Sequence, residues 1–312
     1  MFKNQDARLY AMGLRRWLQG LCIDWRPDVL DAHFVWPDGV GVASLAKELK
    51  IPYVITLRGK IYECLPILSQ RRQCAAALQH ASAVISNSSL MAHDARKLGA
   101  AVDHLVVIPN GINHEQFQPK DKLTCRREMG LPLNGRIIVT VAHLGHRKGH
   151  HEVIRALADL PDDVRLVIVG GSAQGGTPAK LRAVASEVGV ENRLILLGPQ
   201  PYEKVPIYFS AADASVLASY REGCPNAVLE SLACGTPVVA TDVGAVCDII
   251  PVPDVGRIVP PQEVGPLRDA LEDVLDRQWD PEEVVRASGV KSWDEVAREV
   301  QKVLHKATCS SC

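Results

Sequence analysis

No apolar run in the 312 residues approaches the ~20 that a bilayer-spanning helix needs. Neither sign of charge dominates. Lys and Arg total 35 against 36 Asp and Glu, and a net charge of −1 gives no electrostatic footing for nucleic acid. The opening residues, Met1 to Asp6, hold no continuous apolar core, so no signal peptide is expected. Solenoid repeats and low-complexity tracts are missing. Nine cysteines are scattered without a disulfide framework, which leads us to expect a reducing, cytoplasmic setting. Cys309 and Cys312 have redox or metal spacing, but no second pair and no strand-to-helix pattern accompany them. A frayed tail is expected there. No DxD-like pair stands in a plausible loop, so no metal is expected.

What is present is an ordinary globular composition, 47% hydrophobic and 23% charged, with length for about two domains. Short apolar runs alternate with helical patterns. Residues 8–22 read as an amphipathic helix with Tyr10, Leu14, Trp17, Leu18 and Leu21 on one face. Packing on a sheet is the plainer use of this helix; its Arg residues and Trp17 would also suit the surface of a membrane. Residues 27–33 read as a strand ending in His33, and Phe34 to Gly39 as a loop. Val40 to Leu49 reads as a helix and Tyr53 to Leu57 as a strand. This β-α-β order implies parallel strands, and ligands bind beyond the C-terminal ends of such strands. His33 and Arg58 both occupy such ends. Residues 114–131 read as a polar connection between domains.

In the second half, a strand from Arg136 leads into His143-Leu-Gly-His-Arg-Lys-Gly149 and then a helix. Adjacent cations before a helix start make a phosphate-site candidate, although paired Arg and Lys are also common on solvated surfaces. Gly170 to Gly176 has the wrong spacing for a dinucleotide-binding loop.

The most informative stretch is Arg221 to Ala240. Glu222-Gly-Cys224 reads as a loop, with Pro225 at the first helical position and a helix from Asn226 to Cys234. Gly235 fits the helix end and Pro237 bars continuation. The helix start offers unpaired N–H groups and a positive dipole end to an anion. Glu230 lies off the apolar stripe, so packing does not require its burial, and it is expected to reach back toward the Glu222 loop. Two carboxylates beside an anion site suit hydroxyl-rich ligands such as sugars and riboses. Acidic residues near a helix start also occur for dipole reasons alone.

The pattern E-G-x-P-x-x-x-x-E-x-x-A-x-G-x-P-V-V-A resembles the donor-site signature of retaining, nucleotide-sugar-dependent glycosyltransferases of family 4. Glu222 and Glu230 have seven residues between them, as in that family's E-x7-E motif. PDVLDAHFVWPDG, VIPNGIN, RKG and FSAADASVLAS extend the resemblance over residues 27–305, with bacterial teichuronic-acid and exopolysaccharide enzymes as close likenesses. It implies an α/β GT-B fold: two facing Rossmann-like domains with parallel sheets and a nucleotide sugar in the cleft. The implied domains are residues 1–115, residues 116–290, and a C-terminal helix in 291–312 returning to the first domain.

Residue by residue, the resemblance implies catalytic or sugar-facing roles for His33, Glu222 and Lys148. It implies donor binding by Gly223, Cys224, Pro225, Asn226 and Glu230, with His143 where relatives have a diphosphate-binding arginine. Arg147 is positioned to substitute for that arginine. Gln200 and Pro201 are expected to edge the base pocket. No cofactor is implied; the partners are the nucleotide sugar and a saccharide or lipid-linked acceptor, met in the cytoplasm or at the inner membrane face. Lys60 and Ile61 depart from the family's acceptor-side loop.

Only 26 residues precede Pro27, where relatives have a strand, a glycine-rich loop and further strands. The first domain is therefore expected to be truncated at its N-terminus. A second chain supplying that part, a truncated gene, or binding without efficient catalysis would each account for this. Beside a transferase, the readings left open are a partner-dependent donor-binding subunit and a nucleotide-sugar epimerase.

Overall fold

Parallel strands cannot be joined by tight turns, so each is followed by a crossover segment, and the helices fall on the sheet faces. The computed structural model describes residues 5–59, 61–64, 66–173, 175–251 and 253–309. Expectations placed on Lys60 and Cys312 lie outside them. The chain forms two units, residues 1–110 with 294–312, and residues 111–293. Both are parallel α/β layers of Rossmann-like type.

The first unit contains β1 (Leu30–His33), β2 (Tyr53–Leu57), β3 (Ala83–Ser86) and β4 (Leu105–Val107), paired in sequence order. Its helices are α1 (Asp6–Asp24), α2 (Val40–Leu49), α3 (Ile61–Cys64), α4 (Leu68–Gln79) and α5 (Ser89–Lys97). Ser88 starts α5 by accepting the Met91 N–H at 3.1 Å. Strand alternation splits the sheet's side chains between two cores. Tyr53, Ile55, Leu57 and Val84 pack with Leu78 and Met91, whereas Val54, Ala83 and Ile85 point to the opposite face.

Two expectations change in this unit. Phe34 to Gly39 is no open loop: it is a compact turn closed by the Gly39 N–H donating to the Phe34 carbonyl at 3.0 Å, with Val35 and Trp36 buried in the core. Pro37-Asp38-Gly39 reads as a turn in the sequence and gives no sign of that burial. Trp17 is 65% exposed, because α1 faces inward with Ala7, Ala11 and Leu18. Ala7 and Ala11 admit a close contact with α2: a Cβ on Gly41 would lie 2.7 Å from the Tyr10 ring and 3.0 Å from the Ala7 carbonyl.

The second unit holds β5 (Arg136–Val141), β6 (Val164–Val169), β7 (Leu194–Gly198), β8 (Ala214–Leu217), β9 (Val238–Thr241) and β10 (Gly256–Val259). They are ordered β10-β9-β8-β5-β6-β7. The chain winds from β5 to one edge, then returns to β8 and winds to the other. The winding direction thus reverses between β5 and β8, where an open α/β sheet leaves a crevice at its C-terminal edge.

Its helices are α6 (Lys122–Glu128), α7 (His150–Ala158), α8 (Pro178–Glu187), α9 (Val205–Ala211), α10 (Asn226–Ala233), α11 (Val246–Ile249), α12 (Val264–Asp276) and α13 (Pro281–Ser288). On one face Ile138, Leu166 and Val216 pack against Ile154, Leu181 and Leu271. On the other, Ile137 and Val139 meet Phe117, Cys125 and Phe209. Residues 114–131 therefore include α6 and a fully buried Phe117 instead of forming only a polar connection. Three inward residues, Phe117, Cys125 and Leu131, were enough to anchor a stretch whose average composition is polar.

The last helix, α14 (Trp293–Cys309), places Val296 and Ala307 against Val54, Ala83 and Ile85 of the first sheet, with Val300, Val303 and Leu304 alongside. It covers the sheet face opposite α2 and α4. No helix among the described residues is long and apolar enough to cross a membrane.

Candidate functional site

The loops after β5 and β8 flank the point where the winding reverses, and they approach closely. Gly149, at the end of the β5 loop, has φ +66°, and a Cβ there would lie 2.0 Å from the Ala218 carbonyl. Gly244 has φ +60°, and its Cβ would lie 2.4 Å from the Gly223 carbonyl. Gly149 thus packs against the start of the β8 loop at Ala218, and Gly244 against its Glu222-Gly223 backbone, where Ala245 adds a hydrogen bond from its N–H to the Gly223 carbonyl at 2.8 Å.

Lys148 closes a single helical turn, His146–Lys148, just before α7. Its Nζ donates to Glu222 Oε1 at 2.5 Å, with both side chains mostly buried. Such a pair offers a cation to an incoming anion and a carboxylate to a hydroxyl. Arg147 is exposed on the same turn, and its carbonyl accepts the Tyr220 N–H at 2.9 Å.

His143 is half-buried. Its Nδ1 accepts the Gly145 N–H at 3.1 Å, which leaves Nε2 as the donor in the neutral ring. Burial, then the charge of Lys148, holds its pKa below the usual imidazole value. At neutral pH His143 thus supplies a neutral donor, and the positive charge on this loop comes from Lys148 and Arg147.

Pro225 is the N-cap of α10, not its first helical residue; its extended ψ of 105° places it outside the helix. Pro225 is buried, Asn226 exposed, and Cys224 packs at the margin of the core beneath α10. Gly235 follows the helix at φ +72°, as a left-handed C′ residue should.

Glu230 departs from expectation. It is 6% exposed, and its carboxylate accepts the Tyr202 hydroxyl at 3.0 Å. Burial raises its pKa, and the Tyr202 hydrogen bond opposes that shift. The Tyr202 hydroxyl is itself pushed up to about 12 by burial and by Glu230. The helical wheel placed Glu230 off the apolar stripe, but the chain after β7 covers that face. Gln200 is also engaged within the unit, donating to the Leu197 carbonyl at 2.9 Å and accepting from Tyr208 at 3.0 Å.

His33 belongs to the first unit. Its Nδ1 accepts from Arg58 Nε at 3.2 Å, and its Nε2 lies 3.3 Å from Asp31 Oδ2. Arg58 is held in turn by Asn110 Oδ1 at 3.2 Å. Both ring nitrogens are occupied, while half the side chain remains exposed.

Sequence reasoning passed over Glu152 and Tyr220. The Tyr220 hydroxyl donates to the Glu152 carboxylate and lies 2.8 Å from His151 Nε2. No spacing rule links residues 68 positions apart. Among the described residues no group of three or more His, Cys, Asp or Glu could hold a metal ion. A cavity of about 650 Å³ between α2 and α4, lined by Val40, Lys50, Pro52 and Tyr53, opens near the N-terminal ends of the first sheet's strands. It is remote from the C-terminal strand ends of that sheet, where His33 and Arg58 gather.

Comparison with known proteins gives the geometry a lineage. Residues 121–291 match the family described as Glycosyl transferases group 1, and residues 2–116 match Glycosyltransferase Family 4. The chain is 33% identical over 268 residues to the putative teichuronic acid biosynthesis glycosyltransferase TuaC of Bacillus subtilis, covering 83% of this chain and 64% of TuaC. It is 33% identical over 187 residues to a D-inositol 3-phosphate glycosyltransferase of Acidothermus cellulolyticus, covering 57% of this chain and 42% of that protein. The chain thus spans less than two thirds of the length of these relatives.

Among solved structures, HepE of Anabaena in complex with UDP superposes with a TM-score of 0.82 at 22% identity, over 93% of this chain and 81% of HepE. Sucrose-phosphate synthase of Thermosynechococcus elongatus gives 0.79 at 22% identity, over 96% of this chain and 79% of that one. Both share the fold, GT-B with its two Rossmann-like domains.

Proposed function

The chain belongs to the glycosyl transferases group 1 family, and we propose that it is a retaining glycosyltransferase, moving a sugar from a nucleotide diphosphate to a hydroxyl acceptor. The observation that carries this reading is the Lys148–Glu222 pair on the two loops flanking the sheet's winding reversal.

In this reading the donor diphosphate takes Lys148 from Glu222, with Arg147 adding charge and the His143 Nε2–H a neutral hydrogen bond. The start of α10 contributes backbone N–H groups. Freed from the lysine, Glu222 accepts hydrogen bonds from the sugar hydroxyls, and Glu230 with Tyr202 receives the ribose. The bond from the anomeric carbon to the phosphate oxygen breaks as the acceptor oxygen bonds on the same face. The departing phosphate takes the acceptor proton. Charge building on the diphosphate is stabilised by groups already in place, the form of catalysis that costs no reorganisation. Cations of the chain do this work in place of a metal.

The name of the TuaC relative favours a polysaccharide acceptor; the range considered is a saccharide or lipid-linked hydroxyl in polysaccharide or glycolipid synthesis. The test is transfer from a panel of UDP- and GDP-sugars, with the anomeric configuration of the product read by proton NMR. The product is expected to keep the donor's configuration, and Glu222→Gln to lower turnover by roughly 100-fold or more. An inverted product, or full turnover by Glu222→Gln, would contradict the mechanism. Donor binding without turnover would favour a donor-binding subunit.

A further inference from the structure

Tyr220 stands two residues before Glu222 and bonds twice to the neighbouring segment that carries Lys148. Its N–H donates to the Arg147 carbonyl at 2.9 Å. Its hydroxyl donates to Glu152 Oε1 in the first turn of α7, with His151 Nε2 2.9 Å from the same carboxylate oxygen. Glu152 is 8% exposed, and its Oε2 is buried without a hydrogen-bond partner. A buried carboxylate is costly unless donors compensate it, and here Tyr220 and His151 are the donors. The imidazoles of His146 and His151 lie 4.4 Å apart, and the Tyr220 ring meets both edge-on.

The Lys148 loop therefore touches the Glu222 loop through the lysine itself, through Gly149 against Ala218, and through Tyr220. The first contact is the one a donor diphosphate would break. Once Lys148 turns to phosphate, Tyr220 and Gly149 remain to hold the loops at their spacing. We propose that Tyr220 and Glu152 are positioning residues, a buried latch that keeps the Lys148 and Glu222 loops in register while the donor occupies the gap between them. This rests on the reading of the pair as a nucleotide-sugar site. The two side chains act through the backbone of residues 147–149 and 220–222 and need not touch the ligand.

The test uses the full chain and begins without ligand, so that it does not depend on the donor reading. Amide hydrogen exchange is measured over 143–149 and 218–225, with β6 as a remote reference. Tyr220→Phe keeps the ring against the histidines and removes only the hydroxyl. It should accelerate exchange in both loops roughly tenfold while β6 stays protected. Glu152→Ala should do the same. Glu152→Gln, which still offers the hydroxyl an acceptor, should stay near the wild type, a rescue that a purely space-filling role does not predict.

Calorimetric titration with UDP and GDP then reads the consequence: about tenfold weaker binding for Tyr220→Phe and Glu152→Ala, and near-native binding for Glu152→Gln. If Tyr220→Phe fails to fold, the pair of Glu152 variants carries the comparison. Unchanged loop exchange in both Tyr220→Phe and Glu152→Ala overturns the latch. Accelerated loop exchange with unchanged nucleotide affinity overturns its role in positioning. A wild-type chain that binds neither nucleotide contradicts the donor reading, and with it a latch that serves a donor.

Discussion

Lys148 Nζ lies 2.5 Å from Glu222 Oε1, although the two residues are 74 positions apart in the chain. They meet because β5 and β8 are neighbours in the sheet, and because Gly149 lets one loop reach the Ala218 carbonyl of the other. An ion pair at a crevice is easily exchanged: the lysine can pass to phosphate and the glutamate to a hydroxyl without either charge being left unpaired.

The burial of Glu230 gives nucleotide binding a pH dependence. Its carboxyl has a pKa above the ordinary value of 4.5, so it takes up a proton earlier as the pH falls. In the protonated form it accepts ribose hydroxyls poorly. Affinity for UDP or GDP should therefore decline on acidification, beginning at a higher pH than an ordinary carboxylate would give. Glu230→Gln should bind more weakly at neutral pH and lack that component of the decline. Identical pH profiles in calorimetry would dismiss Glu230 as the titrating group.

His150 links the same loop to stability. It is buried, its Nε2 bonds the His143 carbonyl at 3.1 Å, and burial lowers its pKa to about 4. The unfolded chain's imidazole titrates near 6.5, so on acidification the unfolded state takes the proton first. The stabilisation is complete above that value and is lost as the pH falls from 6.5 to 4. The loss amounts to about 3 kcal/mol. Denaturant titrations across this window should show the decline, and His150→Gln should flatten it. An equal slope in the variant would count against His150.

Gly149 should tolerate no side chain. A Cβ would stand 2.0 Å from a backbone oxygen, and the left-handed φ of 66° adds strain. Gly149→Ala is expected to cost about 3 kcal/mol or more, read as a lower thermal midpoint, and to weaken nucleotide binding. A native midpoint would mean that the two loops are not held as closely as described.

The secondary structure was largely legible. Apolar periodicity and breakers located α2 and β2 to the residue, because each is a short apolar segment between clear breakers. Lys148 and Glu222 were legible as individuals. Their pairing was not, since it depends on strand order, and no residue between 148 and 222 encodes that β8 returns to the far side of β5. Glu230 shows the complementary failure. A helical wheel registers the helix's own apolar face, whereas Glu230 is buried by Tyr202, brought in from the end of β7. Glu152 and Tyr220 look like an ordinary helix-start acid and a loop aromatic until the fold joins them. Trp36 and Phe117 were hidden by turn-like or polar neighbours, though each is a core residue.

The central claim is that Lys148 is the cation that receives a donor's diphosphate while Glu222 waits beside it. Calorimetric titration of the wild type and of Lys148→Ala with UDP and with GDP tests it most directly. At least one nucleotide should bind the wild type, with a loss of roughly 100-fold in Lys148→Ala, the scale of a charge-assisted contact to phosphate. Equal affinity in the two proteins would contradict it.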